Sequence, residues 1–482
     1  MAQADHSSHP RHSAHLGLAT LLVFSAPGIP VASLVVGLSI YLQPYIAEHL
    51  GVGLTMVGVA WGAVRLIDIP VDPLLGVMMD RTRTPLGRYR VWLLAGAPIL
   101  MLGVYMMFMA PRGIGAAYLI GWLLVMYLGM SITLLAHAAW GAVLAPGYHD
   151  RSRVFGVLAV VGVLGMLLVL TIPILAHGGP GKAPQIVPLM GWVVVLSIPL
   201  CVGLAAWRIP ETVAPDAAAG PPMAAFRDYL AVAVKPEVLR LFFGEMAIVL
   251  GTGWMTAVYL FFFRDSRGYN TQQSSVLLGV YILSGVVGAP VTAWIAGKAG
   301  KHRTLMVTTT AYVVGLSTVL LIPRGNVLAG LPIMLWCGFM AAGFSLLTRS
   351  MAADVADVLR LEQGKTRVSL VYALLTLAAK IAGALASLLS YPLLDMLGYH
   401  AVDGLKNTPE AILRLGLVYI VGPGVFVLLG GACFLGWRLD EARHAQVRAE
   451  LDARDAALGE EAAVPSLAEA AALLSPAIGR EA

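Results

Sequence analysis

Long runs of uninterrupted apolar residues dominate the chain, with neither the strict alternation of a half-buried strand nor the single stripe of a surface helix. Stretches long enough to cross a bilayer begin near Leu16, Gly51, Val91, Ala117, Arg153, Ile186, Leu241, Thr271, Thr304, Val327, Val368 and Ile412, and most end at Pro, Gly or a charge. The pattern predicts an all-α integral membrane protein with twelve transmembrane helices. The widest gap, Arg208 to Lys235, holds Pro210, Pro215, Gly220, Pro221 and Pro222 and falls between the sixth and seventh runs, so it predicts a linker between two six-helix halves. The expected organisation is a disordered leader over 1–15, a first half over 16–207, a cytoplasmic linker over 208–237, a second half over 238–437 and a cytoplasmic tail over 438–482.

Composition sharpens the class. Of 482 residues 58% are hydrophobic and 12% charged, whereas soluble domains carry about 25% charged residues. A secreted enzyme or a nucleic-acid binder is excluded. Cys201, Cys337 and Cys433 lie far apart inside apolar runs, without disulfide or zinc spacing, and no metal site is expected. The opening segment is polar and the run after it exceeds a signal-peptide core, so the first helix is expected to stay in the membrane. Assigning Lys and Arg to loops puts 23 at the termini and even-numbered loops and 7 in the odd-numbered loops. Cytoplasmic loops are enriched in positive residues, which predicts an inner-membrane protein with both termini in the cytoplasm.

Two basic residues, Arg65 and Lys380, belong to no loop and sit inside apolar spans. A charge at the bilayer centre costs about 2.5–3.5 kcal/mol on insertion scales, so such residues face a cavity or a partner. Arg65, Asp68 and Asp72 fall at i, i+3 and i+7, one stripe of the second helix. Two carboxylates about a turn apart repel in a low-dielectric site unless a proton, a cation or the Arg65 guanidinium neutralises one of them. Pro70 and Pro73 remove backbone donors in the same stretch and free carbonyls that can serve as oxygen ligands.

The string Arg65-x-x-Asp68-x-x-x-Asp72-Pro73-x-x-Gly76-x-x-x-Asp80-Arg81-Thr82, followed by Arg83, Pro85, Gly87, Arg88 and Arg90, resembles the signature of the glycoside–pentoside–hexuronide:cation symporters of the major facilitator superfamily. Ala353-Asp354-Val355-Ala356-Asp357, then Gly364 to Arg367, Lys380 and Asp395 to Tyr399 are similar to the family's second-half region, and Gly297 to Arg303 resembles a degenerate copy of the first-half loop. The resemblance covers all twelve spans and implies the major facilitator fold. It assigns Asp68, Asp72 and the hydroxyl of Thr133 to the coupling cation. It places Lys380 near Arg65, Trp140 against bound sugar, and Gly76, Asp80, Arg81 and Arg88 in the gating loop. Trp254, Tyr372 and Thr376, lying deep in their spans, join Arg65, Trp140 and Lys380 as expected substrate contacts.

Departures from the pattern narrow the chemistry. Where the melibiose-carrying members have an amide between the two acids, this chain has Val71; where they have a third acid, it has Ala136; where they have a sugar-binding arginine in the fifth span, it has Leu158. Fewer oxygen ligands favour H⁺ over Na⁺, and the sugar clamp is missing. The resemblance thus implies secondary active, cation-coupled symport of a small sugar-like or organic anionic solute by a monomer in the lipid bilayer, with no cofactor beyond H⁺ or Na⁺. An uncoupled carrier or exporter of lipophilic compounds, and a non-transporting receptor, stay open as alternatives. No nucleophile–base pair or metal-ligand set points to an enzyme. Glu245 and His137 are expected to cap or pack, Tyr41 and Tyr259 to sit at the interface or the cavity, the histidines at 6, 9, 12 and 15 to reflect composition, and the tail after Asp440 to carry no chemistry.

Overall fold

Buried in lipid, a backbone amide has no water to bond, so each apolar run closes its hydrogen bonds within itself as a helix. The computed structural model describes residues 17–144, 148–175, 186–211, 232–364, 368–402 and 404–463. The expected leader, residues 212–231 of the linker, Lys365 to Arg367 and the end of the tail lie outside the described residues. Twelve helices are long and apolar enough to span a membrane: α1 Gly28–His49, α2 Leu54–Arg81, α3 Arg90–Phe108, α4 Ala116–Leu144, α5 Arg153–Leu175, α6 Ile186–Arg208, α7 Pro236–Ser266, α8 Thr271–Ala299, α9 Lys301–Leu321, α10 Val327–Glu362, α11 Val368–Met396 and α12 Pro409–Ala432. A helix α13, Glu441–Ala463, follows.

Local signals set several ends. Asn270 caps α8 through a reciprocal pair, its side chain accepting from the Gln273 amide at 2.8 Å while the Gln273 side chain accepts from the Asn270 amide at 3.0 Å. The first run departs from expectation: the segment from Leu16 is not one span, because a turn at Ala26 and Pro27 separates a short helix, Leu18–Ser25, from α1. Proline at that point cannot supply the amide that would join the two. Two wide π-type segments interrupt otherwise regular helices, Gly37–Leu42 in α1 and Phe262–Ser266 in α7.

The halves repeat one packing scheme. In the first, α1 packs on α5 and α6, α2 on α4, and α3 on α4 and α6; in the second, α7 packs on α11 and α12, α8 on α10, and α9 on α10 and α12. The halves meet along α2 with α11 and α5 with α8. Small residues permit the approach: a Cβ at Gly58 would lie 2.6 Å from the Ser387 carbonyl, and one at Gly62 2.8 Å from Leu388 Cβ. At Gly338 a Cβ would overlap the Tyr281 carbonyl and the Ser284 hydroxyl, so Gly338→Ala must push α10 off α8. Overpacking of this kind costs about 1–3 kcal/mol. The variant is expected to melt several degrees lower in detergent than Gly121→Ala, whose Cβ meets nothing within 4 Å.

Candidate functional site

The stripe predicted on α2 forms, but its counter-charge comes from the other half. Lys380 Nζ, carried by α11, lies 2.7 Å from Asp68 Oδ2 and 2.6 Å from Asp72 Oδ2, and 3.3 Å from the Asp68 carbonyl. Asp68 is buried, 4% exposed, and its other oxygen accepts from the Ser131 hydroxyl of α4 at 3.1 Å. Asp72 Oδ1 is buried with no hydrogen-bond partner. One ammonium thus bridges two carboxylates across the interface between the halves. Arg65 does not neutralise either acid: its guanidinium lies over the Tyr127 ring, 4.8 Å from the centroid. The carbonyls that Pro70 and Pro73 release belong to Leu66 and Ile69, and the carbonyl that Lys380 meets is that of Asp68.

Arg65 lines a central cavity of about 350 Å³ enclosed by α1, α2, α4, α5, α7, α8 and α11. Trp61, one turn before Arg65, lines it with Tyr127, Gln43, Thr252 and Thr256. Gln43 Oε1 accepts from Ser387 at 2.7 Å across the halves. Thr252 and Thr256 donate back to their own helix, to Ile248 and Thr252 carbonyls at 3.0 and 2.8 Å, so they face the cavity as acceptors.

Other expected contacts fall elsewhere. Thr133 is buried against α3 and donates to the Gly129 carbonyl at 2.8 Å; the hydroxyl that meets an acid is that of Ser131. Trp140 is fully buried edge-on to Phe24, and Trp254 packs on Phe426 and Gly422. Tyr372 donates to the Arg349 carbonyl at 3.0 Å, and Thr376, exposed, donates to Tyr372. None of these five lines the cavity. Tyr259 does line it, donating to the Ser274 carbonyl at 2.9 Å, whereas Tyr41 meets the Ser275 hydroxyl at 2.7 Å.

Polar ties between the halves gather at the His49 end of the molecule. Arg264 pairs with Glu48 across the interface and with Asp265 at 2.6 Å, and Tyr399 donates to Asp265 at 2.5 Å. Thr55 donates to Asp395 at 2.7 Å, and Gln272 to the Ile174 carbonyl at 2.8 Å. At the opposite end the expected gating loop is organised within its own half. Asp80 accepts from the Tyr89 hydroxyl at 2.9 Å. Burial first, and then that bond, hold the Tyr89 phenol above its ordinary range, so it stays a donor. The Glu211 carboxylate accepts from the amides of Arg88, Tyr89 and Arg90 at 2.9 to 3.1 Å where Gly87 has φ +111°. Gly76 has open space around it, Arg81 is exposed, and Arg88 lies 6.0 Å from the Tyr89 centroid.

Two repeated six-helix bundles around a midplane cavity, with ionisable side chains bridging them, define a membrane transporter of the major facilitator class rather than an enzyme. A family model described as MFS/sugar transport protein matches residues 23–441, and the chain belongs to that family. The match bears out the resemblance carried by the α2 signature. Among curated proteins the chain is similar to the uncharacterized symporter YnaJ of Bacillus subtilis (strain 168), 22% identical over 448 residues covering 86% of this chain and 91% of that one. It is also similar to the isoprimeverose transporter of Lactiplantibacillus pentosus, 21% identical over 444 residues covering 86% and 89%. Among solved structures the fold matches the nucleoside transporter NupG with a TM-score of 0.64 at 13% identity, over 87% of this chain and 98% of that one. A bacterial homolog of the human lysosomal transporter Spinster matches with a TM-score of 0.60 at 12% identity, over 90% and 97%.

Proposed function

We propose that the protein is a cation-coupled symporter, with H⁺ favoured over Na⁺, that carries a small sugar-like or organic anionic solute by alternating access as a monomer in the inner membrane. The observation that carries this reading is the Lys380 bridge to Asp68 and Asp72. An arriving cation competes with the ammonium for the same carboxylate oxygens, so cation binding on α2 loosens the tie to α11 and links occupancy to the relative position of the halves. A proton needs a single oxygen, and Asp72 Oδ1 is unpaired. A sodium ion needs several, and Val71 and Ala136 supply none. With both termini in the cytoplasm, the polar ties at the His49 end close the carrier toward the outside. The relatives named as a symporter and as an isoprimeverose transporter support coupling and a glycoside-like solute.

The test uses purified carrier in proteoliposomes, with a panel of labelled glycosides and organic acids and an imposed pH or sodium gradient. A pH gradient is expected to drive accumulation at least tenfold above equilibrium for some member of the panel, and Asp72→Asn is expected to abolish accumulation while solute exchange at equilibrium persists. Accumulation that survives in Asp72→Asn, or uptake indifferent to both gradients, would contradict the reading.

A further inference from the structure

One ionisable side chain inside the second half takes no part in the Lys380 bridge. Glu245 lies in the third turn of α7 and is 4% exposed, too deep to cap the helix. Among the described residues it forms no ion pair. Lys380 of α11 is held by Asp68 and Asp72, Arg240 donates to the Leu435 and Gly436 carbonyls, and Arg349 of α10, whose field reaches the carboxyl, is exposed. From α12 the Phe434 ring packs at Gly244. The partner of Glu245 is the fully buried Thr348 of α10, whose hydroxyl lies 2.6 Å from Glu245 Oε2 and 3.1 Å from the Phe344 carbonyl. That hydroxyl has one hydrogen. A carboxylate would take it, leaving the contact with Phe344 unmade and a charge buried without a counter-ion. A carboxylic acid gives its own hydrogen to Thr348 Oγ1 and frees the hydroxyl to donate to Phe344, so both contacts become hydrogen bonds.

The position of this acid ties it to the cavity. Glu245, Val249, Thr252 and Thr256 fall at i, i+4, i+7 and i+11, one face of α7, and the last three line the cavity. At 1.5 Å per residue Glu245 stands about 10 Å from Thr252 toward the Pro236 end, with Val249 between them. The water within its reach is therefore on the Pro236 side, where Arg349, next to Thr348, is exposed.

We infer that Glu245 is a proton-binding site of the second half, loaded from the cytoplasm and not carried across, whose proton fastens α7 to α10 and so sets the solute-facing wall of the cavity. When α7 parts from α10, water replaces Thr348, the acid ionises and its proton passes to cytoplasmic water; on closure the carboxylate takes a proton back from the same side. Thr252 and Thr256 ride on the same helix, so proton and solute each favour the closed pairing of α7 with α10 and tighten one another. The sign follows: solute is held with Glu245 protonated and released as cytoplasmic pH rises. The inference rests on the proposed symport for its place in turnover, and it leaves the coupling cation at Asp68 and Asp72.

The first test needs no solute. Purified full-length carrier at neutral pH should show the infrared C=O stretch of a protonated carboxylic acid, absent in Glu245→Gln, shifted in Thr348→Val and retained in Asp72→Asn. Titrated from neutral to alkaline pH, the wild type should release one proton more than Glu245→Gln. The second test follows equilibrium exchange of the labelled glycosides and organic acids in the Asp72→Asn background, in membrane vesicles of either orientation. Exchange should weaken at least fivefold when the cytoplasmic face is made alkaline, ignore the pH at the other face, and lose this response when Glu245→Gln is added. A wild type without the band, a band that survives Glu245→Gln, or a cytoplasmic pH response that survives it would overturn the inference. Should Glu245→Gln not fold, Thr348→Val decides: an unshifted band with an unchanged pH response overturns it as well. Gradient-driven accumulation with the same cytoplasmic pH response in Glu245→Gln leaves symport standing and removes the site; a Glu245 band and response in a carrier that no gradient drives does the reverse.

Discussion

Replacing Lys380 with alanine is expected to abolish gradient-driven uptake, by at least a hundredfold, and to lower the melting temperature markedly. The ammonium lies within 2.7 Å of two carboxylates, one of them buried, and no other cation meets either acid among the described residues. Removing one member of a buried ionic set leaves the rest uncompensated and costs about 3–5 kcal/mol. The double variant Lys380→Ala/Asp72→Asn removes half of the negative charge with the positive one, so it should regain much of the lost stability while remaining unable to concentrate solute. Thermal melts of the two variants, together with uptake under an imposed pH gradient, check both halves of this expectation. A Lys380→Ala carrier that melts and transports like the wild type would remove the bridge from the mechanism.

The second large effect is expected at the His49 end. Arg264 is held jointly by Glu48 of the first half and Asp265 of its own, with Tyr399 locking Asp265 in place. In Arg264→Gln the cross-half attraction disappears and Glu48, 12% exposed, loses the cation that offsets its burial. Because the Arg264 side chain is 43% exposed, solvent screens the pair and the loss falls below the about 3–5 kcal/mol of a fully buried one, but it is confined to the closed arrangement and shifts the equilibrium away from it. The conformation open at the His49 end should therefore become more populated. In a background with Cys201, Cys337 and Cys433 replaced by alanine, a cysteine at Ser39 should react with an impermeant thiol reagent at least fivefold faster when Arg264→Gln is added, and uptake should fall at least tenfold. Unchanged reactivity would show that other contacts hold that end shut.

Hydrophobic runs reveal spans because the bilayer demands them, and eleven of the twelve helices begin within a few residues of where the runs do. The exception at α1 arises where proline divides a continuous apolar run. Asp68, Asp72 and Lys380 were legible for the same reason: a charge inside an apolar run must be satisfied by something. Which residue would satisfy it was not legible, since that depends on how α11 rotates against α2, and that rotation is set by close approaches at Gly58 and Gly62. Uncharged polar and aromatic residues give still less away. Trp140, Trp254 and Trp61 look alike in sequence, yet only Trp61 borders the central cavity; its spacing of four from Arg65 was the available signal. The roles of Glu48 and Arg264 are not legible in the sequence because charges near span ends are ordinarily solvated, and their pairing across the halves appears only when the two bundles are assembled.

The wide turns in α1 and α7 occupy the first helix of each repeat, one beside Ser39 and the other at Arg264 itself. Such a turn holds one residue more than a regular one and interrupts the ladder of amide bonds locally. It behaves like a dislocation in a crystal: by exchanging one bond for its neighbour the defect can migrate along the rod, letting the segment beyond it swivel while the rest keeps its register. Each bundle thus carries its own bearing, and the rocking of two rigid blocks need not be wholly rigid.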